Sequence, residues 1–349
     1  DTPRHLDHVY TLANIGEMMP GAVCPLTLST TVWAVDQAIQ RMMVASGVLK
    51  RRDPAWRTIA SFFGHLFFDL HGMEDFCRGV GGSNAETLTF AICGRPVPEF
   101  VVGAPASRAT RLLRGVRYFH HVFSGKREIG RFRDELRDFS LELRETAARQ
   151  WAAIDEAFPV LCRAYDVHLQ SSASSGVSHG ILHGVLAKGG VPTAEQEGQL
   201  AGWLAATGRV ESADLVHELD ELAAEIAAHP AAARAFLGVP AETALAWLRD
   251  PAVGSVGELF ASFLARHGHR ALRELDMQQP SWADDPLPLV ASLQAAAAAR
   301  RMARGAAPRS SDAVAPPGLG LRWVVQWARR SVRQREQTKS LLVEVMDRF

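Results

Sequence analysis

The segment 321–349 constrains the fold most. Leu321, Val325, Ala328, Val332, Arg335, Lys339, Leu342 and Met346 follow one another in alternating steps of four and three. At 3.6 residues per turn these positions share one face of a helix. Such a stripe must be buried against other elements, and its middle is occupied by two cations. Like charges four apart disfavour a helix slightly, and placing them on a packing face carries a desolvation cost. Either they snorkel or pair with a carboxylate such as Glu336, or they are aimed at an anion, where a guanidinium and an ammonium would suit a phosphoryl group.

The rest of the chain reads as mainly α, a multi-helix protein with a short β element in the N-terminal third. Ala, Leu, Arg and Glu dominate the second half and favour helix. Thr27 or Ser29 is a plausible cap for a helix reaching Ser46, with Gly47 as its stop. Leu66–Leu70 is the strand candidate, flanked by Gly64 and Gly72. Segment 131–156, with Phe132, Leu136, Phe139 and Leu143 at helical spacing, predicts one amphipathic helix. Segment 160–187 contains the small-residue run Ser171–Ser178, which fits either a tightly packed helix or a loop. Further helices are expected over 194–206, 241–249, 254–267 and 289–304, with a Pro-bearing loop over 280–288. The organisation expected is an N-terminal part over 1–107, a helical part over 108–304, a flexible Pro/Gly/Ser-rich connector over 305–320 and a terminal helix over 321–349.

Composition excludes several classes. The chain has 349 residues, and its 38 basic and 38 acidic groups balance. Nucleic acid is therefore not an expected partner. No run of about 18 apolar residues occurs, so no membrane span is expected. The start, Asp1-Thr2-Pro3, has no basic stretch followed by an apolar run and lacks Met. That predicts no signal peptide, and a processed chain or excised segment. Cys24, Cys77, Cys93 and Cys162 form no CxxC pair and read as free thiols of a cytoplasmic protein.

Two histidine groups stand out. His267-Gly268-His269-Arg270, followed by Glu274 and Asp276, suggests the polar wall of a pocket. His179 and His183 lie four apart, a spacing that can chelate a metal on a helix, but no Glu follows to act as a zincin base. A helical metalloenzyme built on either pair is a minor alternative, because each lacks an evident third ligand. His120-His121 reads as an interior pair.

Four segments resemble, in order, the central domain of phosphoenolpyruvate-utilising phosphotransferases of the rifampicin phosphotransferase and phosphoenolpyruvate synthase type. They are Asn14-Ile15-Gly16-Glu17 with Pro20-Gly21 and Pro25-Leu26-Thr27; Gly208-Arg209-Val210-Glu211-Ser212-Ala213; His267-Gly268-His269-Arg270 with Glu274-Leu275-Asp276 and Pro280; and Arg335-Glu336-x-x-Lys339. Arg209 stands where an Asp is usual, and Ala271-Leu272-Arg273 replaces small residues.

The resemblance implies an acceptor-binding domain that receives a phosphoryl group from a phosphohistidine domain, itself charged by an ATP-grasp domain. The phosphoryl group would pass to a hydroxyl of a small, largely apolar acceptor. It implies Arg335 and Lys339 as catalytic cations, and Glu17, His267, His269 and Arg270 as acceptor-binding residues. Trp33, Met42, Phe62 and Phe67 are candidates for the apolar pocket lining. No ATP-grasp segment or phosphohistidine motif is recognisable in the chain. ATP and Mg are thus expected on partner domains, in cis or as separate subunits, with no cofactor on this chain. Alone it is expected to bind but not turn over; a non-catalytic binding module is the alternative.

Overall fold

In a computed structural model, the described residues are 6–187, 193–205, 211–302 and 319–349. The fold is mainly helical with one small sheet, as the sequence predicts. The elements are β1 (Tyr10–Thr11), α1 (Ile15–Met18), α2 (Pro25–Thr27), a π turn (Leu28–Val32), α3 (Trp33–Ser46), β2 (Ile59–Phe62), β3 (His65–Asp69), a 3-10 turn (Leu70–Met73), α4 (Glu74–Gly79) and α5 (Ala85–Cys93). They continue as α6 (Arg108–Arg137), α7 (Ala147–Leu186), α8 (Ala194–Ala205), α9 (Glu211–Ala228), α10 (Pro230–Phe236), α11 (Ala241–Leu248), a 3-10 turn (Pro251–Val253), α12 (Ser255–His267), α13 (Leu287–Met302) and α14 (Leu319–Arg348). None of the described helices is long and apolar enough to cross a membrane. The expected connector over 305–320 lies outside the described residues up to Pro317 and Gly318, and α14 begins at Leu319.

α14 packs along α7, and the seam between them explains the serine run. Ser171, Ser174, Ser175 and Ser178 are buried in continuous helix. Ser171 Oγ lies 2.6 Å from Thr338 Oγ1, and Ser174 Oγ lies 2.9 Å from Ser331 Oγ. Partner numbers fall on α14 as they rise on α7, so the helices are antiparallel. Small side chains let the two backbones approach, and the hydroxyls of Ser171 and Ser174 pair across the seam with those of Thr338 and Ser331. Leu182, Leu200, Trp203, Val325 and Ala328 close the seam at one end, where α8 packs.

A larger core joins α3, α6, α7 and the far end of α14, with Met43, Phe132, Leu161, Tyr165, Leu342 and Val345 at its centre. A second core holds α9 to α13 around Phe236, Phe260, Phe263 and Leu293.

Two expectations are corrected. The helix predicted over 131–156 is two helices, because the chain leaves α6 after Arg137 and re-enters helix at Ala147, capped by Thr146. Phe132 and Leu136 are buried, whereas Leu143 is 93% exposed, so the spacing ran across a loop. His120 is exposed and His121 half-buried, so the two are not an interior pair.

The sheet is also larger than the single strand expected. β3 pairs antiparallel with β1 and β2 in the order β1-β3-β2. Phe63 and Gly64 both adopt positive φ, 54° and 76°, in the tight turn that joins β2 to β3. Gly72 is required by contact: a Cβ there would sit 2.2 Å from the carbonyl oxygen of Arg57.

Overpacking the seam will be costly. Ser174→Leu is expected to destabilise the chain by about 1–3 kcal/mol, with Ser174→Ala much milder. Urea unfolding monitored by circular dichroism reads both.

Candidate functional site

Three of the segments singled out in the sequence meet beside α14. Thr27, fully buried at the end of α2, donates through Oγ1 to Asp276 Oδ1 at 2.8 Å and accepts from the amide of Met277 at 3.1 Å. Two residues before Asp276, Glu274 accepts from Arg270 Nη1 at 2.9 Å through one oxygen. Its other oxygen is 3.0 Å from Lys339 Nζ. Glu274 is therefore shared by two cations, one 7% exposed and one 41% exposed. Arg335 sits one turn before Lys339, its side chain 47% exposed, with Nη2 3.1 Å from Glu336. Counting Arg270, Arg335 and Lys339 against Glu274 and Glu336, the cluster carries one positive charge in excess.

The loop that presents Arg270 is held tightly. Gly268 follows the last residue of α12, and its amide donates to the carbonyl of Leu264 at 2.7 Å. A Cβ at Gly268 would lie 2.4 Å from that carbonyl oxygen and 3.1 Å from Cβ of Ala283. Only glycine fits. The Trp282 amide donates to the Arg270 carbonyl at 2.7 Å, and the Ala283 amide to that of Gly268 at 2.9 Å, which folds the loop back on itself. Arg270 is buried, and among the described residues its Nε has no hydrogen-bond partner. A buried unpaired donor of this kind costs on the order of 1–3 kcal/mol.

The two histidines flanking Gly268 diverge. His267 Nε2 lies 3.0 Å from Glu218 Oε2 of α9, whose other oxygen, Oε1, accepts from Nη1 of Arg266. His269 faces α14, with Nε2 3.4 Å from Ser340 Oγ. His269 lines an open cavity of about 520 Å³ with Gln337, Ser340, Glu344, Asp347 and Arg348. Burial, then the neighbouring Arg270 charge, lowers the pKa of His269 against the opposing pull of Glu344 and Asp347. Burial raises that of Asp347. A neutral imidazole beside a hydroxyl and two carboxylates can accept a proton or orient one. Arg335 and Lys339 are not among the cavity's lining residues; the cavity adjoins their cluster through Ser340 and His269.

Beneath the two cations lies a histidine that the sequence reading passed over. His168 of α7 is 9% exposed, with Nδ1 3.2 Å from Thr338 Oγ1. Burial, reinforced by Arg335 and Lys339, pushes its pKa down to about 4. No motif marks it; only the packing of α7 on α14 brings it there.

The remaining candidates scatter. Glu17 is in α1, and its side chain lies outside the described residues. Trp33 donates to the Pro54 carbonyl at 2.9 Å and packs on Phe158, while Met42 lies against the main core. Phe62 and Phe67 touch each other, with ring centroids 5.1 Å apart. His179 and His183 place their Nε2 atoms 2.6 Å apart on α7, and Glu197 stands 3.6 Å from His183 Nδ1. Neither this pair nor His267 and His269 belongs to a group of three metal-ligating side chains among the described residues. Residues 208–210 of the second resembling segment lie outside the described residues, and Glu211–Ala213 open α9. All four cysteines are free, Cys77 buried and the others half-buried.

Residues 167–336 match the model of a family described as the rifampicin phosphotransferase fourth domain. This stretch, just under half of the chain, is similar to that domain. The matched span includes His168, the Gly268 loop, Glu274 and Arg335, and it ends three residues before Lys339. Among curated proteins, none matches the chain.

The depressed pKa of His168 has a signature in titration. The unfolded chain binds the His168 proton below about pH 6.5, and the folded chain only below about pH 4. Between those values the unfolded state holds more protons, so this residue makes stability fall as pH is lowered through that window. In an NMR pH titration the His168 ring is expected to stay neutral down to about pH 4.

Proposed function

We propose that this chain is the acceptor-holding part of an ATP-dependent phosphotransferase. It would take a phosphoryl group from a phosphohistidine and pass it to a hydroxyl of a small, largely apolar molecule. The observation that carries this reading is the convergence beside α14. The Pro25-Leu26-Thr27, Arg270/Glu274-Leu275-Asp276 and Arg335/Lys339 segments are joined by Thr27–Asp276 and Glu274–Lys339 contacts. The match over residues 167–336 supports the same reading.

In the step proposed, the P–N bond of the phosphohistidine breaks as the acceptor oxygen forms the new P–O bond. The hydroxyl proton leaves to the departing imidazole, or by way of His269. Phosphoryl transfer depends mostly on positioning and charge stabilisation. Arg335 and Lys339 would neutralise the travelling phosphoryl oxygens, both half-exposed and so within reach of an incoming group. Glu274 and Arg270 would be positioning residues that hold the Lys339 ammonium in place. The unpaired Arg270 Nε would gain a partner if an anion entered. The cavity at His269 and Ser340 would take the hydroxylated end of the acceptor. ATP and Mg would be held by an ATP-grasp domain, in cis or on a separate subunit.

The test uses the enzyme complete with its ATP-grasp and phosphohistidine domains. Arg335→Ala and Lys339→Ala are each expected to slow acceptor phosphorylation on the order of a hundredfold, by analogy with loss of one oxyanion donor. Phosphohistidine formation from ATP should be unchanged. Unaltered transfer in both variants would remove the assigned roles. Acceptor binding without any transfer in the unmodified enzyme would favour a non-catalytic binding module of the same fold.

A further inference from the structure

The sheet brings together a second group of chemically able side chains, far along the sequence from the cation cluster. Tyr10 pairs with Asp69 in the antiparallel ladder of β1 and β3. The same register, continued two residues outward, sets His8 across from His71. Leu70 extends the pairing, its amide donating to the Val9 carbonyl at 3.0 Å. The two imidazoles stack, with centroids 4.7 Å apart and planes 18° apart. Phe100 packs perpendicular to the His71 ring, with centroids 5.2 Å apart. Asp69, 6% exposed, turns Oδ2 to His8 Nδ1 at 2.7 Å and accepts the His71 amide on Oδ1 at 3.0 Å. One ligand atom from each of His8, Asp69 and His71 falls within 4.8 Å of the other two. All three residues line a cavity of about 660 Å³, beside Tyr10, Trp56 and Phe62.

We propose that His8, Asp69 and His71 bind a divalent transition-metal ion of the zinc class. Two imidazoles and one carboxylate form a donor set for borderline ions and leave coordination positions open. Here those positions face the aromatic-lined cavity, where water or a ligand oxygen would complete the shell. The cation replaces the proton held between His8 Nδ1 and Asp69 Oδ2, which passes to solvent. At His71 it replaces the Val9 amide, which now donates to Nδ1 at 3.1 Å. Asp69 and His71 are fixed by the end of β3 and the turn that follows, so only the His8 end of the site has to adjust. This site is independent of the phosphoryl chemistry proposed above and shares no residue with it.

The full 349-residue chain, stripped with a chelator, is titrated with Zn2+ by calorimetry, and with Co2+ by visible absorption. One equivalent of Zn2+ is expected to bind, with a Co2+ spectrum of low coordination number. His8→Ala, which removes a ligand at the accessible rim, should weaken binding at least about a hundredfold, beyond what loss of an outer-shell partner costs. His71→Ala should do the same, with circular dichroism confirming its fold. A His179→Ala/His183→Ala double variant should bind as the unmodified chain does. The absence of saturable binding would overturn the proposal, as would binding that survives His8→Ala or follows the His179/His183 pair.

Discussion

Everything at the cation cluster depends on how closely α14 can lie along α7. Hydroxyl-bearing and small side chains at Ser171, Ser174, Ser178, Ala328, Ser331 and Thr338 fill that seam. A seam of Leu or Ile would stand the helices further apart and bury no polar partners. The one chosen here exchanges apolar area for proximity and for hydroxyl pairs that fix the axial register. Register is what matters for the cluster: a shift of one turn along α14 would carry Lys339 about 5.4 Å from Glu274.

That seam also sets the electrostatics above it. His168 cannot hold a proton comfortably, being buried and facing two cations. Near neutral pH it is an uncharged hydrogen-bonding partner for Thr338 rather than a third positive charge. The cluster thus keeps a single excess positive charge, divided between two half-exposed side chains. A larger excess at that spot would have to be compensated by further carboxylates, and Glu274 already serves two cations.

Much of this arrangement was legible in the sequence, and the parts that were not have physical reasons. The four-and-three spacing in 321–349 correctly announced the terminal helix. It placed Arg335 and Lys339 on the stripe, whereas the buried line actually runs through Ser331 and Thr338, one position aside. A stripe drawn from apolar residues alone cannot see that serine and threonine occupy the seam. The 3.6 periodicity through Phe132 to Leu143 continued by chance past the end of α6, since spacing says nothing of where the backbone leaves the helix. β1 and β2 went unread because two to four residues are too few to show alternation. The Thr27–Asp276 bond spans 249 positions, so no local pattern reports it. The pairing of His8 with His71 depends on the strand register, which only the folded sheet reveals.

The absence of room for a Cβ at Gly268 reaches beyond the loop itself. The imidazoles on either side of it answer to different neighbours. One is tied to α9 and its bundle, the other to the face of α14. The link between them is a single residue. A rigid-body tilt of the α9–α13 bundle would therefore be handed on to His269 and the cavity mouth. This one residue thus links the α9–α13 core to the core that α14 joins.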